Sequence, residues 1–119
     1  MYEERSAYAP FVLFEYDHKP GNFCLMLSDQ HMVGGPDAVF EQNGRYGNGY
    51  GWADVALAAM RTQSPALESR LGMDPEAGMF VAYGSDLEAL QALAVLLHAA
   101  LQDPQKLAEL VKAAPYEYD

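Results

Sequence analysis

Three groups of residues have side chains or spacing that chemistry could use. His18 and His31 stand near Asp17 and Asp29, so a mixed His/Asp metal site is conceivable. No close pair among them has the spacing of a zinc or calcium motif, and both residue types are common at turns, so no metal is expected. Cys24 is the lone cysteine and sits among apolar residues, where a thiol is usually inert core filling. To act as a nucleophile it would need His18 or His31 beside it, in surroundings that lower its pKa. His98 falls among leucines and reads as a helix-edge residue rather than a base. The third group is Gly44-Arg45-Tyr46-Gly47-Asn48-Gly49-Tyr50-Gly51-Trp52, with four glycines and three aromatics in nine residues. From Gly47 the spacing is Gly-x-Gly-x-Gly, without the preceding strand or the spacing of a dinucleotide loop. Gly51-Trp52-Ala53 also lacks the Lys-Ser/Thr of a P-loop. No cofactor is expected, and no catalytic residue.

The elements that must position these residues follow from periodicity. After a short, partly frayed arm over residues 1–9, Phe11 to Tyr16 reads as a strand, with Val12, Phe14 and Tyr16 on one face and Phe11 and Leu13 on the other. Pro20-Gly21 is the centre of a type II turn. Phe23 to Ser28 then completes a hairpin, with Phe23, Leu25 and Leu27 facing one way and Cys24 and Met26 the other. Because both faces are apolar, the sheet should be covered on both sides, or on one side by another protein chain. Pro36 to Glu41 fits a short helix. Trp52, Val55, Ala56, Ala59 and Met60 give a helix to about Arg61, with Trp52 pinning its start. Ser64-Pro65 opens a further short helix ending at Gly72. Met79 to Tyr83 reads as a buried strand. Ser85 and Glu88 form a capping-box pattern ahead of a leucine-rich helix, and Asp103-Pro104 opens the last helix, which Pro115 stops. The class is α+β: a small antiparallel or mixed sheet, made of the N-terminal hairpin plus the strand near 79–83, packed with several helices.

Composition bounds the function. A chain of 119 residues, half of them hydrophobic and a fifth charged, is a single domain over 1–119 with room for one core. An acidic start, no apolar run of membrane-spanning length and one cysteine point to a soluble, cytoplasmic protein. Seventeen acidic against seven basic side chains, a formal charge of -10, oppose nucleic-acid binding, which needs clustered Lys and Arg. The charge favours a basic partner, and it equally serves solubility. Around the glycine stretch, Asp37, Glu41 and Asp54 lie close in sequence to Tyr46 and Tyr50. Aromatic anchors with a charged rim are the usual make-up of a tight interface, so these five are the candidate partner-binding residues, and Trp52 is the structural anchor.

Two stretches carry a family resemblance. Asn48-Gly49-Tyr50-Gly51-Trp52 and Asp74-Pro75-Glu76-Ala77-Gly78-Met79-Phe80-Val81-Ala82-Tyr83-Gly84, in that order, resemble the signatures of bacterial polymorphic-toxin immunity family fifty-one. The strand-rich start and two closing helices are similar to that family's layout, so the likeness covers nearly the whole chain. It implies a protein that binds and neutralises a toxin made by the same cell or its kin, and it brings no catalytic residues. The partner would be a cognate toxin domain, and a basic one, such as a nuclease, is what the charge favours. Two other classes remain open: a small enzyme or ligand-binding domain using Cys24, His31 or the glycine loop, and a homo-oligomeric module, such as a homodimer, using its two-faced sheet.

Overall fold

The computed structural model describes all residues from Met1 to Asp119. Five strands, β1 (Glu3–Glu4), β2 (Val12–Glu15), β3 (Phe23–Ser28), β4 (Gly72–Met73) and β5 (Met79–Gly84), form one antiparallel sheet in the order β1-β2-β3-β5-β4. Four α-helices accompany it: α1 (Pro36–Glu41), α2 (Gly49–Gln63), α3 (Leu87–Gln102) and α4 (Pro104–Ala113). Short 3-10 turns lie at Asp29–His31 and Pro65–Arg70. The fold is α+β. No helix is long and apolar enough to cross a membrane.

The alternation of β2, β3 and β5 decides which side is core. Leu13, Leu25, Leu27, Phe80 and Ala82 share one face and are completely buried against α2 and α3. Helix α2 lies at the centre: from Gly51 to Met60 every residue is buried, and all but Asp54 are apolar. The sheet, α3, α4 and the Pro65–Arg70 turn surround it. Trp52 has no exposed surface and meets Phe11 edge-on, with ring centres 5.8 Å apart, and Phe40 at 5.5 Å.

The glycines of the central stretch serve close approach rather than unusual torsions. Only Gly44 among them has a positive φ, of 71°. A Cβ on Gly49 would drive into the carbonyl oxygens of Glu76 and Met79, and one on Gly51 into that of Tyr46. Gly49 also donates its N–H to the Ala77 carbonyl at 3.0 Å. The two stretches that carry the family resemblance therefore pack backbone to backbone, and only glycine lets the first turn of α2 sit there.

Several local expectations are corrected. Glu3 and Glu4 are not frayed but pair with Phe14 and Leu13 as an edge strand. Helix α2 starts three residues before Trp52 because the Asn48 side chain accepts the Gly51 N–H at 2.9 Å and caps it. The cap of α3 is Asp86, not Ser85. Its carboxylate accepts the Ala89 N–H and pairs with Arg70, and that guanidinium, first among its partners, holds it below the usual carboxylate range. Ser64-Pro65 opens the expected short helix as a 3-10 turn without a side-chain cap, and it ends at Arg70, with Gly72 already in β4.

Candidate partner-binding surface

The chemical groups singled out in the sequence do not converge. His18 lies in the turn before β3 and His31 just after it, so six strand residues, roughly 20 Å, separate them. No group of three or more His, Cys, Asp or Glu side chains stands close enough to hold a metal ion. Cys24 is buried beside Tyr16, and burial raises its pKa, which disfavours the thiolate. The N-terminal turn of α2 is packed against the chain's own carbonyls, so it offers no cradle to a phosphate.

The five expected contact residues separate as well. Tyr46 is 73% exposed and Glu41 is exposed, both on the helical side of the molecule. Tyr50 is half-buried. Asp37 is half-buried too, and its carboxylate accepts the Gly35 and Ala38 N–H groups at 3.1 and 3.0 Å, holding the start of α1. Asp54 is the correction: it has no exposed surface and cannot belong to a rim. One of its carboxylate oxygens accepts the N–H groups of Glu117 and Tyr118 at 3.1 and 3.0 Å, and the other accepts that of Asp119 at 3.1 Å. Arg45 completes the arrangement. It donates to the Ala114 and Pro115 carbonyls at 2.9 and 2.7 Å and to Asp54 at 3.3 Å, with Tyr116 stacked 3.7 Å from its guanidinium carbon. A charge pair buried beside α2 thus ties the C-terminal tail across the helix. The acidic, aromatic stretch from Tyr116 to Asp119 is therefore a structural strap.

A different surface is left without a covering element, its side chains half-buried against one another and Tyr83 exposed. Val12, Phe14, Tyr16, Met26, Val81 and Tyr83 lie on the face of the sheet turned away from the helices. Val12, Met26 and Val81 stand in register across three strands, as do Phe14, Cys24 and Tyr83. None of these side chains belongs to the core cluster or packs against it. Phe14 and Tyr16 meet edge-on at 5.7 Å, and Tyr16 and His18 at 5.2 Å, extending an aromatic row along β2. Tyr83 is 44% exposed at the β4 side, its ring over Gly72. The sequence signals this face through the apolar residues on both sides of the hairpin. The charge pattern around the glycine stretch points to contact residues elsewhere.

The arrangement is that of a small α+β domain with a bare apolar sheet face and no assembled catalytic constellation. The chain belongs to the immunity protein 51 family, whose model matches residues 11–116. That membership points to a toxin-neutralising role. Comparison with curated proteins gives no match, and comparison with solved structures gives none either.

Proposed function

We propose that this chain neutralises a cognate bacterial toxin by binding it directly as a stoichiometric partner, with no catalytic step of its own. The observation that carries this reading is the bare apolar sheet face, which a domain of this size covers with a partner more readily than with water. Family membership supports it, and so does a buried thiol whose surroundings disfavour the reactive thiolate. The compartment this reading implies is the cytoplasm, where a polymorphic toxin made by the cell or its kin would act. The rival surface for that contact is the loop on the helical side, where Tyr46 and Glu41 are exposed and Asp37 and Tyr50 half-buried.

The test is co-expression with the toxin domain encoded beside this chain, with a purification tag on the toxin alone. The expected result is restored growth and co-elution of the two chains in equal amounts. Growth protected while the toxin elutes free of this chain would contradict the reading.

A further inference from the structure

We propose that the bare face of the sheet is the toxin-docking surface and that its occupant is a positively charged face of the cognate toxin domain. This rests on the immunity reading above and assigns it a surface and a chemistry.

An antiparallel sheet with one face in water normally alternates apolar residues inward with polar residues outward. Here the outward positions of β2, β3 and β5 are instead Val12, Phe14, Cys24, Met26, Val81 and Tyr83, broken only at Ser28. Of these, Cys24 is buried beneath its neighbours, while the others stand outside the core cluster on the other face. The edges of the sheet rule out a simpler mode of attachment. Strands β1 and β4, two residues each, close the two sides, so little free backbone is offered for strand addition. A partner must land on the side chains, face-on. A depression of about 250 Å³ lies toward the β1–β2 side, with Val12, Phe14 and Met26 as its apolar wall and Arg5, Gln30 and His31 among its polar lining, and gives such a partner a place to insert an apolar side chain.

The charges around this face select the partner's sign. Asp74 continues β4, opposite Val81, through its N–H bond to the Val81 carbonyl. Asp17 follows Tyr16 at one end of the strands, and Asp29 and Glu76 stand at the other, where Asp29 bonds Gly78 and Glu76 pairs with Met79. All four carboxylates are exposed, and none takes part in an ion pair. Of the nearby cations, Arg5 is already paired with Glu3, which leaves Lys19. A second copy of this chain would bring the same carboxylates together in a molecule of charge -10. A basic surface meets them with opposite charge and places its apolar part on the aromatic row.

The experiment measures binding kinetics on immobilised, inactivated toxin domain at low and high salt. Phe14→Ala and Tyr83→Ala should weaken affinity roughly ten- to a hundredfold, mainly through faster dissociation. Met26→Lys keeps a long unbranched stem at a half-exposed position, so it preserves the fold if Phe14→Ala does not. It sets a like charge against the basic partner and should weaken binding to a similar extent. Asp17→Asn/Asp74→Asn changes only exposed side chains and should slow association and flatten its salt dependence. Tyr46→Ala, on the helical side, should change neither rate. Folded sheet-face variants that bind like the wild type, or loss confined to Tyr46→Ala, would overturn the assignment while leaving toxin binding in place. A wild-type homodimer that Phe14→Ala dissociates would give the face to a second copy and overturn it too. Failure of the wild type to bind at all would instead remove the immunity reading beneath it.

Discussion

Trp52→Ala is expected to cost about 3–5 kcal/mol of stability and to lower the melting temperature by more than about 10 °C. The indole is the largest fully buried side chain in the molecule, wedged between Phe11 from the approach to β2 and Phe40 from α1. Truncation would leave a cavity where the first turn of α2, α1 and the sheet meet. The backbone around that cavity is held by the close packing of Gly49 and Gly51 and cannot easily collapse into it. The indole N–H meets no acceptor within the chain, so the residue acts through volume and not through a hydrogen bond. Trp52→Phe should therefore cost much less, under about 2 kcal/mol. Thermal melts of the two variants check this. Equal losses would mean that the indole nitrogen matters after all, and an unchanged melting temperature in Trp52→Ala would mean that the site is not an anchor.

Asp54→Ala is expected to be comparably severe, about 3–5 kcal/mol. It would leave the Arg45 guanidinium, 6% exposed, with only the Asp119 carboxylate at 3.8 Å on the tail that Asp54 no longer holds, and it would release three tail N–H groups from their acceptor. Replacing both charges, as Arg45→Met/Asp54→Leu, removes the unpaired charge and should recover part of the loss. The tail would stay released, because neither new side chain can accept from Glu117, Tyr118 or Asp119. Melting temperatures report the stability, and protease sensitivity of residues 115–119 reports the strap. A tail that stays protected in both variants would show that Asp54 does not hold it.

Much of the architecture is legible in the sequence because it rests on local patterns. The alternation of Phe23 to Ser28, the Pro20-Gly21 turn and the Asp103-Pro104 start each specify an element within a few residues, and each is found where expected. What is not legible depends on partners far along the chain. Glu3 and Glu4 look like a loose end until β2 supplies their ladder, and Asp54 looks like a surface acid until residues 117–119 come to cover it. The candidate site shows the same division. Apolar residues on both faces of the hairpin announce a sheet in need of cover. Only the packing of α2 and α3 on the Leu13–Leu25–Phe80 side reveals which face the chain itself leaves open.

Neutralisation by stoichiometric binding is checked by titrating this chain into the active toxin domain while following the toxin's activity. A linear fall to zero is expected, complete at one chain per toxin, with the complex recovered intact. Complete inactivation at a small fraction of that ratio, which requires turnover, would contradict it, as would full toxin activity in the presence of excess chain.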